Sequence, residues 1–378
     1  MPAPLNILHL HSSFSLGGKE ARAVRLMNAF GDRARHTIVS GVPDQLGARD
    51  AIAKGVRYEI AQNPPPLTGK PSVARYEAIA RFARRFDLVL TYNWGAIDGV
   101  MAKRVFPKDA APVVHHEDGF NSDEAERLKP MRNMYRRMAL GAAEALVVPS
   151  SVLERIAREV WKQPPDRLHR ISNGIPTQLY TKKPDLRAIP GFKRQPGETV
   201  IGTLAGLRAV KDLPKLVRIA AGCTGRVRLV IVGDGPERAA IEDAAEAMFF
   251  EDRLVLPGFL PEPHRYMGLF DIFALTSKSE QQPIAVMEAM AAGLPIVAPP
   301  VGDIREMVSP ENLPFIGDDS FEVHLRDRID ALAKRPDYIR YLGEKNRERA
   351  RALFDEAAMI ARYAALYEQA AGRPGALS

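Results

Sequence analysis

Short apolar runs alternate with longer amphipathic stretches along most of the chain. Asn6–His11 reads as a strand and Gly18–Phe30 as a helix. His36–Ser40 and Val56–Ile60 read as strands, Val73–Phe86 as a helix and Asp87–Thr91 as a strand. Pro112–His115, Asp123–Ala142 and Ala145–Pro149 continue as strand, helix and strand. Near-continuous apolar strands separated by helical periodicity predict an α/β fold whose parallel sheet is covered on both faces. The pattern restarts at Thr199. Thr199–Leu204 is a strand, Leu213–Ala221 a helix, Arg226–Val232 a strand and Glu237–Ala247 a helix, followed by short strands at Leu254–Leu256, Ile272–Leu275 and Pro295–Ala298. Between the two sets lies Pro176–Glu198, rich in Pro, Lys and Gly and without periodicity, which reads as a linker. The tail, Phe321–Ala371, is almost wholly helical in pattern.

Composition narrows the class. A chain of 378 residues, 46% of them hydrophobic, favours two domains at ~100–200 residues each. The single cysteine, Cys223, excludes a disulfide framework and a Cys-rich metal site. No basic signal-peptide start and no run of ~18 apolar residues is visible. A cytoplasmic location is therefore expected, at the inner face of the membrane if the basic half meets anionic lipid. The charge is uneven. Residues 1–175 hold 26 Lys+Arg against 18 Asp+Glu, net +8, and the remainder is net −1. The basic half suits acidic partners such as anionic head groups or phosphorylated acceptors. Without an aromatic-interleaved basic stripe, nucleic acid is not an expected partner. The run Arg127–Met138 (RLKPMRNMYRRM) reads either as a basic amphipathic surface for anionic membrane or as a solvated helix face.

Four segments could carry chemistry. Ser15-Leu16-Gly17-Gly18-Lys19-Glu20 follows the first strand and opens the first helix, where glycines let backbone N–H groups approach an anion. A plain tight turn is the bland alternative. Val113-Val114-His115-His116-Glu117-Asp118-Gly119 lies at a strand's C-terminal end, where open parallel sheets bind ligands. Its histidines suit acid–base work, or else one is buried, one lies in the loop, and both only hydrogen-bond. A metal reading is poor, because adjacent strand residues point to opposite faces. In Gly206-Leu207-Arg208-Ala209-Val210-Lys211-Asp212, Arg208 offers a fork and Lys211 a point charge, together suited to a diphosphate; the alternative is a solvated basic turn.

The segment from Ser279 to Pro295 is the most informative. Pro283 fits the first position of a helix and Gly293 the residue just past its end. Between them the residues are small or apolar except Glu288, a carboxylate that needs a partner or a ligand. Glu280 precedes the helix. Paired hydrogen bonds make such carboxylates fit for sugar and ribose hydroxyls, and the backbone of Gln282, Pro283 and Ile284 adds an anion site. The alternative is a capping Glu280 and a Glu288 paired with a basic side chain. Val232-Gly233-Asp234-Gly235-Pro236 gives a further nucleotide-facing turn at Gly233, and no Asp-x-Asp occurs anywhere.

Taken in order, Gly17-Gly18 with Glu20, HHEDG, ALVVPS, Asn173-Gly174-Ile175, LRAVK, IVGDGP, and Glu280 and Glu288 running into EAMAAGLPIVA resemble the family 4 retaining glycosyltransferases of GT-B fold. The resemblance covers nearly the whole chain. It implies two Rossmann-like domains facing across a cleft, with residues 1–175 on the acceptor side and 176–355 binding a nucleotide-sugar. A C-terminal helix, about 356–378, would cross back to the first domain. It further implies that Glu288 holds the donor ribose, Glu280 with the Gln282–Ile284 backbone contacts the donor sugar, and Arg208 and Lys211 neutralise the diphosphate without metal. Gly18 would let the first domain reach the donor, and His115 or His116 would sit near the reacting centre. The implied reaction is retaining transfer from a UDP- or GDP-type sugar to a glycan or lipid-linked acceptor of the cell envelope, with no cofactor. Two departures from the family pattern stand out: Gln281-Gln282 where many relatives have Gly-Phe, and Gly206 where many have the phosphate-binding arginine. Nucleotide-sugar epimerases share this fold and these donor sites, and an inactive scaffold would share the fold alone.

Overall fold

A computed structural model describes residues 3–108, 110–120, 122–124, 127–317 and 322–378. The chain forms two compact units, Met1–Asn173 with Ala357–Ser378, and Gly174–Glu356.

The first unit runs β1 (Leu5–His11), α1 (Gly18–Phe30), β2 (Ala34–Ser40), β3 (Arg57–Ile60), α2 (Val73–Ala83), β4 (Leu88–Tyr92), α3 (Asp98–Val105), β5 (Val113–His116), α4 (Pro130–Leu140), β6 (Ala145–Val148), α5 (Ser151–Glu159) and β7 (Leu168–Arg170). Its strands are all parallel, in the order β3-β2-β1-β4-β5-β6-β7. Alternate strand residues face opposite layers. Leu8, Leu10, Val89, Val113 and Leu146 pack with α2–α5, whereas Ile7, Leu90, Val114 and Val147 pack with α1 and the C-terminal helix.

The second unit runs β8 (Thr199–Leu204), α6 (Leu213–Ala221), β9 (Val227–Val232), α7 (Arg238–Ala247), β10 (Leu254–Gly258), β11 (Ile272–Ala274), α8 (Ile284–Ala291), β12 (Ile296–Val297), α9 (Ile304–Met307), α10 (Glu322–Ala333) and α11 (Pro336–Leu353). Its parallel order is β10-β9-β8-β11-β12. The last helix, α12 (Glu356–Ala370), buries Met359, Tyr363 and Tyr367 against β1, β4 and α1 of the first unit.

Several sequence expectations shift. The helix expected from Asp123 begins only at Pro130, because Pro is accepted in a helix's first turn and not in its interior. The helix expected to reach Phe86 ends at Ala83. Three short elements, α3, α5 and β7, are not among the expected ones: β7 has only three residues and α3 eight, whereas α5 is amphipathic, capped by Ser150 with Leu153 and Ala157 buried, and could have been found. The segment read as a linker is part of the second unit's core: Tyr180 and Ile189 are buried there. Few anchors spaced by turns leave no period to detect. Arg136, read as part of a basic surface, is wholly buried and forks Glu124 at 3.1 and 2.9 Å. Lys129 and Arg132 of the same run pair with Asp123, which leaves Arg127 and Arg137 as its cations without a side-chain partner among the described residues.

Candidate active-site halves and family membership

In each unit the strand order reverses once, between β1 and β4 and between β8 and β11. Open parallel sheets bind ligands beyond the strand ends at such a reversal. The loops after β8 and β11 carry Arg208, Lys211 and Glu280. The loop after β1 carries Gly17 and Gly18, and β5, beside β4, carries His115 and His116.

In the second unit, Lys211 closes a 3₁₀ turn and donates Nζ to Glu280 Oε1. The two loops are also stitched by backbone: Thr276 Oγ1 donates to the carbonyls of Lys211 and Asp212, at 3.1 and 2.9 Å, and Lys278 N–H donates to Val210 at 2.9 Å. Arg208, exposed at the start of the turn, has no side-chain partner among the described residues. Gly302 and Asp303 back the Glu280 loop. Gly302 has φ +56°, and a Cβ there would lie 2.3 Å from the Gln281 carbonyl oxygen and 2.6 Å from that of Glu280. Asp303 N–H donates to the Gln281 carbonyl at 2.8 Å. Gly302 was not singled out in the sequence; nothing beside it marks it there.

Pro283 is the N-cap of α8 and not its first helical residue. It carries no N–H, so of the three residues expected to form an anion site only Gln282 and Ile284 have an amide to offer. Gln282 itself is buried. At the other end, Gly293 at φ +80° gives its N–H to Met290, and Leu294 gives its N–H to Ala289, a Schellman ending. Glu288 is half-buried and accepts from Tyr180 Oη at 2.9 Å, a partner 108 residues earlier in the chain. Gly233 shows what its loop requires. A Cβ there would lie 1.8 Å from the Ala205 carbonyl oxygen, and its N–H is spent on Gly258 at 2.9 Å. The glycine thus lets the loop after β9 lie against the loop leading to Arg208.

In the first unit, Gly17 is the N-cap of α1 and Gly18 its first residue, both exposed. Neither has positive φ. A Cβ on Gly17 would approach Glu20 Oε2 to 3.0 Å, so the glycine makes room for a carboxylate folded over the turn. Glu20 is buried and paired with Lys19; burial pushes its carboxyl up and Lys19 pulls it part of the way back. Two residues on, Arg22 forks Asp118, with Nη2 to Oδ2 at 2.8 Å, and donates to Asn173 Oδ1 at 3.1 Å. Burial opposes the Arg22 charge, but Asp118 outweighs it and raises the guanidinium.

Both histidines end β5 and both are fully buried, so neither is the loop histidine of the bland reading. They face opposite layers. His115 Nδ1 meets Thr91 Oγ1 at 2.7 Å, and its Nε2 lies 3.7 Å from Glu117 Oε2. His116 Nδ1 donates to the Thr91 carbonyl at 3.1 Å, and its Nε2 pairs with Tyr367 Oη of α12 at 2.8 Å. Burial, then Arg22, lowers the His116 pKa. Arg22 and Asp118 lie within or beside the motifs read from the sequence. Tyr363 and Tyr367, some 250 residues downstream, carry no local signal.

Residues 16–179 match the model of glycosyltransferase family 4, and residues 187–349 match that of glycosyl transferases group 1. Together the two models take in most of the chain. The chain belongs to the family 4 glycosyltransferases. Over 373 residues it is 23% identical to the N-acetyl-alpha-D-glucosaminyl L-malate synthase of Bacillus anthracis, covering 93% of this chain and 94% of that one. Over 144 residues it is 29% identical to a GDP-mannose-dependent alpha-mannosyltransferase of Mycobacterium tuberculosis, covering 38% and 36%. Among solved structures, HepE of Anabaena in complex with UDP superposes with a TM-score of 0.73 at 19% identity, covering 95% and 98% of the two chains. Sucrose-phosphate synthase of Thermosynechococcus elongatus superposes with a TM-score of 0.76 at 20% identity, covering 96% and 98%. These neighbours are GT-B glycosyltransferases, and the fold of this glycosyltransferase is the same.

Proposed function

We propose that this glycosyltransferase moves a hexosyl unit from a UDP- or GDP-type nucleotide-diphosphate sugar to a glycan or lipid-linked acceptor of the cell envelope. Transfer proceeds with retention and without a metal or other cofactor. The observation that carries the reading is the second unit's strand reversal, which gathers Arg208, without a side-chain partner among the described residues, the Lys211–Glu280 pair and the start of α8. HepE was solved with UDP and with UDP-glucose, which supports a nucleotide-sugar donor.

In this reading Arg208 and Lys211 neutralise the diphosphate as the bond from its oxygen to the anomeric carbon breaks. Lys211 spends one of its three N–H donors on Glu280 and keeps the others for phosphate oxygen. Glu280, oriented by that bond, accepts from donor-sugar hydroxyls, beside the Gln282–Ile284 backbone. Glu288 accepts from the ribose hydroxyls. The acceptor hydroxyl attacks from the face the diphosphate leaves, and a leaving phosphate oxygen takes its proton, so no covalent intermediate forms. Gly17 and Gly18 give the first unit a turn that a donor can approach. His115 and His116 hold the strand end from buried positions, His116 through Tyr367.

The test is thermal stability with UDP-, GDP-, ADP- and CMP-sugars in chelator, on the native chain and on Glu288→Ala. A donor at 100 times its Kd should stabilise the fold by ~2.7 kcal/mol. A shift with one nucleotide, lost in the variant, is expected; no shift with any of them would sink the reading. Product formed without an acceptor would point instead to an epimerase.

Contact with anionic membrane belongs to the same proposal. No described helix is long and apolar enough to cross a membrane. Met131, Met134 and Met138 stand exposed along α4, and Arg127 and Arg137 have no side-chain partner among the described residues. Co-flotation with phosphatidylglycerol vesicles, lost in Met131→Ser/Met134→Ser, is expected; no flotation removes this part.

A further inference from the structure

We propose that the first unit carries a second anion site, separate from the donor site, that takes a phosphate ester or pyrophosphate group. It is a cavity of about 500 Å³ at the edge of the sheet, lined among others by Asn6, Arg35, Thr37, Arg57, Glu59 and Arg85. Asn6, Arg35 and Arg57 are first or second residues of β1, β2 and β3. The cavity therefore lies at the N-terminal end of the strands. Gly17, Gly18 and the β5 histidines lie at the C-terminal end, about 20 Å away along a seven-residue strand.

Charge is what makes this cavity unusual. Arg35 and Arg57 are register partners on neighbouring parallel strands, so their side chains leave the same face side by side. Like charges placed directly opposite across strands are destabilising. The carboxylate that could relieve them, Glu59, stands two residues on and accepts from its own register partner, Thr37 Oγ1, at 3.0 Å. Arg35, Arg57 and Arg85 have no side-chain acid partner among the described residues. Arg85 is fixed differently: its guanidinium carbon lies 4.1 Å from the Phe82 ring centroid and 5.2 Å from that of Phe86. Stacking restrains a guanidinium and leaves its in-plane N–H donors for an anion.

Charged residues on an edge strand such as β3 also deter edge-to-edge pairing, and a single arginine serves that end. Two opposed arginines and a stacked third around one cavity go beyond it. Three forks against one engaged carboxylate suit a multiply charged oxyanion, held by bidentate charge-assisted hydrogen bonds. The volume exceeds what one phosphate fills and lies in the range of small-molecule sites.

The experiment is calorimetric titration of the full chain with inorganic pyrophosphate, and sedimentation with phosphatidylglycerol or phosphatidylcholine vesicles. The chain used is Arg208→Ala/Lys211→Ala, so that binding at the donor site does not contribute. One saturable pyrophosphate site is expected, weakened at least about tenfold by adding Arg35→Ala/Arg57→Ala. Removing like charges should leave the melting temperature unchanged or raised, so loss of binding would not reflect unfolding. Phosphatidylglycerol binding lost with the same arginines, without pyrophosphate binding, would assign the phosphate to a lipid head group. If neither probe responds to Arg35→Ala/Arg57→Ala, the site does not exist.

Discussion

Mild acid should unfold the first unit, and the structure supplies the size of the effect. His9, His11, His36 and His116 are at most 2% exposed. Burial is the main cause that lowers each of them: His36 to about 4, and the others well below the ordinary value of 6.5. Neighbouring charge adds to it. His9 faces His36 and His116, His11 faces Lys19 and Arg22, and His116 faces Arg22. The folded pKa lies below the unfolded one, so the unfolded chain takes up protons first as pH falls. Stability is therefore complete above about pH 6.5 and is lost below it. At pH 5 an unfolded histidine gains about 2 kcal/mol from protonation that a buried neutral one does not. His36 alone contributes about 2 kcal/mol in this way, and His9, His11 and His116 act in the same direction, against a total stability of about 5–15 kcal/mol for a typical domain. Carboxylates begin to titrate mainly below this window. Trp94 and Trp161, the only tryptophans, both lie in the first unit, so their fluorescence reports on it alone. Urea midpoints should fall steeply from pH 7 to pH 5, and less steeply in His36→Gln. A midpoint flat across that range, or an unchanged slope in the variant, would refute the reasoning.

Arg208→Ala should leave urea stability within about 0.5 kcal/mol, since the side chain has no partner to lose, yet cut the transfer rate about 10²–10³-fold in a donor-consumption assay. Gly302→Ala adds a Cβ 2.3 Å from a carbonyl oxygen at φ +56°; a loss of about 1–3 kcal/mol in the melt and weaker nucleotide binding are expected. Tyr367→Phe removes the partner of His116 Nε2 and should cost about 1–3 kcal/mol by tryptophan-monitored unfolding.

The sequence was most legible where long periods and punctuation coincide. Gly18–Phe30, Thr199–Leu204 and Leu213–Ala221 fall on their elements residue for residue. Strand ends were readable because apolar runs stop where loops begin. What escaped depends on contacts distant in sequence. Tyr180 sits in a segment without periodicity, yet it meets Glu288 108 residues later. Tyr367 reaches His116 across 251 residues. Charge was the least legible property: Arg136 reads as surface in a basic run, and only its fork on Glu124, beneath Trp94, Phe120 and Trp161, shows otherwise.

The two units repeat one topology and spend it differently. In both, a loop after the central strand leads toward a helix at the reversal of strand order. In the first unit that helix start is met by the chain's own groups: Glu20 lies over the Gly17 turn with Lys19, and both terminal nitrogens of Arg22 are engaged by Asp118 and Asn173. In the second, Arg208 has no acid partner among the described residues, and Glu280, the carboxylate paired with Lys211, belongs to the neighbouring strand's loop. An anion approaching the first unit's turn meets a carboxylate already there. One approaching the second unit's turn meets the Arg208 guanidinium and an ammonium with donors to spare. On the proposed function, recognition of a diphosphate therefore falls to the second unit, and the first unit's turn is better suited to a neutral, hydroxyl-rich group.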